Sequence, residues 1–218
     1  MIFINFKTYE EATGEKGLSL LNDIGEVSKT TNVPLIPLVQ PIDLGYFSGK
    51  TLLHLWCQHI DPITYGAHTG WVLPEAVVGL AGKGVCLNHS EHQIPMDVLV
   101  QSVKRAQDVG LKTLVFAKDV MTLQEILKLR PDYVSYEPPE LVGSTTTSVS
   151  QAKPEVIYAA GELCKNAGIP LIVGAGIHST EDVQIAIERG AQGVAVATDV
   201  VKSADRIERL KQLLAGFK

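Results

Sequence analysis

Short runs of apolar, largely β-branched residues recur along the chain, at 2–6 (IFINF), 34–40 (PLIPLVQ), 51–57 (TLLHLWC), 85–88 (VCLN), 113–117 (TLVFA), 133–136 (YVSY), 171–174 (LIVG) and 193–197 (GVAVA). Each predicts a strand. Several are apolar at nearly every position instead of alternating, which is how strands covered on both faces read, and this predicts a parallel sheet. Helical spacing of apolar residues is clearest at 97–109, 154–167, 179–189 and 204–215. In the third of these, Ser179 or Thr180 can cap the N-terminus, with Glu181 and Asp182 in the first turn facing the positive end of the helix dipole. Gly110, Gly168 and Gly190 each follow a last helical turn, where a left-handed residue ends a helix at little cost.

Strand and helix therefore alternate with short connectors, and 218 residues leave roughly 27 per module if there are eight modules. An open doubly wound sheet is the rival architecture. It needs an edge strand that tolerates exposure and usually a glycine-rich turn after the first strand, where this chain has Asn5-Phe6-Lys7-Thr8. The pattern favours one domain spanning 1–218, a closed (β/α)8 barrel of eight parallel strands with helices outside. The only low-complexity patch, GSTTTSVS at 143–150, falls between strand six and the following helix and reads as a mobile loop.

Charge and composition narrow the class. Lys and Arg number 19 against 24 Asp and Glu, a net charge of -5, so the chain lacks the basic surface that nucleic acid or an anionic membrane would demand. No apolar run approaches the roughly 18 residues of a membrane span, and the first residues carry no secretory pattern. A cytoplasmic enzyme or binding protein is expected. Cys57, Cys86 and Cys164 form no CxxC pair and read as small buried hydrophobes. His54, His59 and His68 lack metal-ligand spacing, so no metal site is expected.

In a barrel, chemistry gathers where the C-terminal ends of the strands and the following loops converge. Strand one ends with Asn5 and Lys7, two apart and so expected on one strand face. Strand four ends with Asn88-His89-Ser90-Glu91, strand six with Glu137, strand seven with Gly174-Ala175-Gly176 and strand eight with Ala197-Thr198. One carboxylate, one imidazole, one ammonium and glycine-rich turns suited to a phosphate are the parts needed to abstract a proton beside a carbonyl. His89, read as lying at a helix start, would be kept neutral by the helix dipole. Taken singly, Glu137 reads as a solvated carboxylate, His89 as a structural histidine and Lys7 as a surface lysine. His54 reads as buried and hydrogen-bonded within its strand, and His59, His68 and His178 as solvent-exposed loop residues.

Five motifs standing in order carry a resemblance: Asn5-Phe6-Lys7, Gly66-Ala67-His68-Thr69-Gly70, Asn88-His89-Ser90-Glu91, the run from Tyr136 to Gly143 (YEPPELVG), and Gly174-Ala175-Gly176-Ile177. Together they resemble the triosephosphate isomerase family in its short archaeal form, over essentially the whole chain. The resemblance implies interconversion of dihydroxyacetone phosphate and D-glyceraldehyde 3-phosphate in glycolysis and gluconeogenesis, with no cofactor. It assigns Glu137 as base, His89 as electrophile, Asn5 and Lys7 as the substrate-binding pair, and Val142, Gly176, Ala197 and Thr198 as phosphate-holding positions. Glu91 is expected behind Lys7. Residues 66–70 become a candidate contact with a second copy in a homodimer or homotetramer.

A lid from Pro138 to about Thr147, stiffened by two prolines, is expected to exclude water. Its far hinge, Ser144-Thr145-Thr146, replaces a glycine common among relatives. His92-Gln93 replaces basic residues, and Phe116-Ala117 stands where many relatives have a cysteine. Two rivals remain open: a Schiff-base aldolase using Lys7 or Lys118 as nucleophile, and a non-catalytic phosphosugar-binding barrel.

Overall fold

Parallel strands buried on both faces need a layer on each side, and the chain supplies both. The computed structural model describes residues 1–137 and 154–217. Val142, the expected lid and the 143–150 run lie outside the described residues. Eight strands form a closed barrel in chain order: β1 (Ile2–Asn5), β2 (Leu35–Val39), β3 (Trp56–Cys57), β4 (Gly84–Leu87), β5 (Lys112–Ala117), β6 (Tyr133–Tyr136), β7 (Leu171–Val173) and β8 (Gly193–Val196). Every neighbouring pair is parallel, and Ile2 pairs with Leu35 on one side and Val194 on the other, so the sheet has no edge.

Alternate residues divide between two apolar layers. Phe3, Ile36, Leu38, Trp56, Cys86, Leu114, Phe116, Ile172 and Ala195 fill the barrel interior. Inside it, Phe3 meets Trp56 and Tyr133 edge to face, with ring centroids 5.2 and 5.6 Å apart. Gly84 and Gly193 leave the room this filling needs: a Cβ on Gly84 would lie 2.4 Å from the Trp56 ring.

The opposite parity, including Ile2, Ile4, Val85, Leu87, Val115 and Val194, packs against the helices. These are α1 (Gly14–Ser28), α2 (Pro41–Phe47), α3 (Pro74–Gly79), α4 (Met96–Asp108), α5 (Val120–Lys128), α6 (Pro154–Ala167), α7 (Thr180–Glu188), α8 (Thr198–Val201) and α9 (Arg206–Ala215), with a 3-10 turn at Glu10–Ala12. In α4 the buried Leu99, Val103 and Ala106 form one stripe at helical spacing. Ser179 caps α7, accepting from the Asp182 N–H at 3.1 Å, and Gly110, Gly168 and Gly190 take positive φ after their helices as the sequence predicts. Among the described residues, no helix is long and apolar enough to cross a membrane.

One strand is much shorter than its sequence suggests. Of 51–57, only Trp56 and Cys57 join the sheet; Leu52 and His54 are exposed. The Thr51 hydroxyl accepts from the Leu53 N–H at 3.2 Å, and this local turn takes a donor that a strand would give to its neighbour. His54 is therefore a solvent-facing residue, not a buried one. The three cysteines are free and buried, as expected.

Candidate active site

The strand ends place their polar residues around one cavity of about 420 Å³, lined by Asn5, Lys7, His89, Glu137, Gly176, Ala197 and Thr198 among others. Glu91 lines an adjoining cavity that shares Asn5, Lys7 and His89 with the first.

β1 ends at Asn5, so Lys7 does not reach the cavity by strand alternation. It adopts a left-handed backbone with φ of 48°, a conformation that costs a side-chain-bearing residue about 1 to 2 kcal/mol. Hydrogen bonds hold it there. The Lys7 N–H donates to Asn5 Oδ1 at 3.0 Å, and the Gln58 amide reaches Asn5 Oδ1, the Lys7 carbonyl and the Leu38 carbonyl, each at 3.1 Å. The ammonium is then gripped from outside by Glu91, Nζ to Oε1 at 2.7 Å. Gln58 escaped the sequence reading, although its position two residues beyond Trp56 gives it the inward parity.

His89 sits in a turn, seven residues before α4 begins, and not at a helix start. Helix-dipole control of its charge is thereby replaced by burial, which pushes its pKa down to about 4, opposed by the Glu91 carboxylate and assisted by the Lys7 ammonium. The ring is neutral at pH 7. Its Nδ1 accepts the Glu91 N–H at 3.1 Å, which assigns the ring proton to Nε2. That Nε2 faces Glu137 Oε2 at 3.5 Å and stands 3.5 Å from Asn5 Nδ2, while Phe116 packs edge to face on the ring.

Glu137 follows β6 and is 4% exposed. Burial pushes its carboxyl up to about 8, against the pull of Lys7 and with the push of Glu91. Gly174, which the sequence marks as part of a phosphate turn, lines the cavity, and a Cβ there would lie 2.0 Å from Glu137 Oε1. Only glycine leaves space for the carboxylate. Gly176, with φ of 69°, and the Ala197-Thr198 pair at the start of α8 also line the cavity, and the Thr198 hydroxyl shares a 2.8 Å hydrogen bond with Tyr9.

Three further polar residues line the cavity without having been read from the sequence as site residues: His178, Asp199 and Arg209. Arg209, from α9, donates Nε to Asp199 Oδ2 and Nη2 to the His178 carbonyl, and His178 Nδ1 lies 3.5 Å from Asp199 Oδ1. Asp199 was legible as the neighbour of Thr198; nothing local marks Arg209. His178 and His59 are partly buried, not free in solvent. His59 contacts Asp61 at 3.2 Å and stacks on His92 at 4.5 Å. Residues 66–70 and Lys118 are exposed, and Lys118 is absent from the cavity lining.

A buried carboxylate facing the donor edge of a neutral imidazole, with an ammonium beside them, is equipped to move a carbon-bound proton and hold charge on oxygen. A family profile described as triosephosphate isomerase matches residues 1–214. The chain belongs to the triosephosphate isomerase family. Curated triosephosphate isomerases agree with this. That of Sulfurisphaera tokodaii is 42% identical over 94% of this chain and 89% of its own. The enzyme of Methanothermus fervidus is 39% identical over 98% and 97%, and that of Saccharolobus solfataricus 41% over 94% and 90%. Membership makes the chain an isomerase.

Gly174→Ala is expected to displace the Glu137 carboxylate while leaving the barrel folded, lowering kcat by about a hundredfold, the usual penalty for an ångström of misplacement; steady-state kinetics with circular dichroism checks this. A second expectation concerns stability. With a folded-state value of about 8 against an unfolded value of about 4.3, the folded chain retains a proton that the unfolded chain has lost, so the Glu137 contribution falls as pH rises between those values. Glu137→Gln, which cannot ionise, should therefore gain in Tm over the parent from pH 5 to pH 8, as read by calorimetry.

Proposed function

We propose that this chain interconverts dihydroxyacetone phosphate and D-glyceraldehyde 3-phosphate through an enediolate, with Glu137 as the base. The supporting observation is the buried Glu137 carboxylate, its Oε2 3.5 Å from the Nε2 edge of a neutral His89, at a cavity that Lys7 also enters. Glu137 takes a proton from the carbon beside the carbonyl, and the electron pair moves onto the carbonyl oxygen. His89 Nε2–H donates to that oxygen, with the Lys7 ammonium and the Asn5 amide offsetting its charge. Return of the proton to the neighbouring carbon, and transfer of the hydroxyl proton between the two oxygens, completes the isomerisation. No electron acceptor, metal or nucleotide enters this balance.

The phosphate falls to Gly176, Ala197 and Thr198, with Val142 contributed by the segment after Glu137. In this reading Lys7 and Arg209 supply positive charge to the cavity for a dianionic substrate, while Arg209 also neutralises Asp199. The reaction belongs to glycolysis and gluconeogenesis in the cytoplasm, and three free buried cysteines suit a reducing compartment. Self-association through 66–70 completes the proposal. That loop is exposed, flanked by Tyr65 at 76% and Trp71 at 54% exposure, and an adjoining cavity bordered by Gly70, His59 and His92 opens beside Lys7.

Glu137→Gln should lower turnover of D-glyceraldehyde 3-phosphate by several powers of ten in a folded protein, measured in a coupled assay with EDTA present. The parent should exchange substrate protons with solvent. A loss under about tenfold, or ligand binding without exchange, overturns the reading, and a borohydride-trapped adduct would favour the aldolase. Because the base acts when ionised, activity should rise with pH, with an acid limb displaced above the ordinary carboxylate range toward about 8. Sedimentation of the purified chain at micromolar concentration is expected to give an assembly of at least two copies; a monomer there removes the 66–70 contact.

A further inference from the structure

β6 alternates by strand geometry, so Tyr133, Ser135 and Glu137 share its inward face. Tyr133 packs against Phe3 and Trp56 inside the barrel, and Glu137 opens onto the cavity. Ser135 lies between them, fully buried, in an interior otherwise filled by Leu114, Phe116, Ile172 and Ala195. Its hydroxyl oxygen has no hydrogen-bond partner among the described residues. A buried hydroxyl without a partner is a net loss for folding, and alanine would fill the same place without it. The hydroxyl therefore needs an explanation outside packing.

The missing side chain of Gly174 supplies one. The point where its Cβ would stand is 2.0 Å from Glu137 Oε1 and 2.8 Å from Ser135 Oγ, so both oxygens border the same notch. Of the two carboxylate oxygens, Oε2 is the one turned to His89, which leaves Oε1 for the notch. We propose that the Ser135 hydroxyl is a positioning residue, donating to Oε1 of the ionised Glu137 and fixing the carboxylate plane so that Oε2 meets the substrate. The inference rests on the reading of Glu137 as the base. The contact is not made in this structure and requires the two oxygens to close across the notch.

A donor on Oε1 favours the ionised form, opposing the burial that pushes Glu137 upward. The other groups facing this carboxylate are the His89 imidazole, the Lys7 ammonium, which also favours ionisation, the Glu91 carboxylate, which opposes it, and the buried Cys86 thiol on β4. None of these is altered by removing the serine oxygen.

Ser135→Ala tests the proposal, with Tm, kcat, KM and the pH dependence of kcat/KM as readouts. We expect a Tm equal to or above that of the parent, KM within about twofold, kcat lowered about five- to twentyfold, and the acid limb moved up by about one pH unit, a tenfold change in the protonation constant. In a Glu137→Gln background the same change should have no further effect on residual turnover. A variant with parental kcat and pH profile overturns the inference, as does one whose kcat and Tm fall together while the profile stays put. If Glu137→Gln itself remains active, the failure lies with the base assignment; if it is inactive and Ser135→Ala is silent, only the role of Ser135 fails.

Discussion

A carboxylate kept almost entirely from water is the constraint around which this molecule is arranged. Ionising Glu137 in that position is unfavourable by itself, and the barrel supplies the compensation from several strands. β7 contributes the absence of a side chain at Gly174, β4 leads to an imidazole held neutral with its donor edge forward, and β1 leads to an ammonium. No one of these strands is adjacent in sequence to another, which is why closing the sheet and forming the site are the same event.

The ammonium illustrates how local strain is borne by neighbours. Lys7 stands in a backbone conformation that an isolated chain would avoid, and Gln58 holds it by bonding its carbonyl and the adjacent Asn5 side chain together. Glu91 then serves both partners: its carboxylate grips Lys7, and its backbone N–H fixes the His89 tautomer. A single residue outside the main cavity thus couples the charge on one side of the substrate position to the proton on the other.

Much of this was legible in the linear pattern because burial on both faces imposes continuous apolar runs, and a parallel barrel puts the residue just after each run at one mouth. Asn5, Lys7, His89, Glu137, Gly176, Ala197 and Thr198 were found by that rule, and they converge. The third strand misled because Leu52 and Leu53 look like strand residues while the hydroxyl of Thr51 bends the backbone away from the sheet. His89 was read correctly as neutral for the wrong reason, since its distance from α4 is set by the eight-residue span after β4 that periodicity does not resolve. Gly174 and Arg209 were opaque in their actual roles. One matters for the atom it lacks and the other for reaching across from a different helix, and neither fact leaves a local trace.

Ring closure carries an implication for how the protein is made. Ile2 must find Val194, and Arg209 must reach the His178 carbonyl, so the mouth of the barrel cannot exist until the eighth strand and the helix carrying Arg209 have been synthesised. A nascent chain with seven strands displayed has two raw sheet borders and an incomplete pocket, vulnerable to sticking to its neighbours and unable to retain a metabolite. Competence arrives only once β8 and α9 have been made, and vectorial synthesis yields no half-working intermediate on the way.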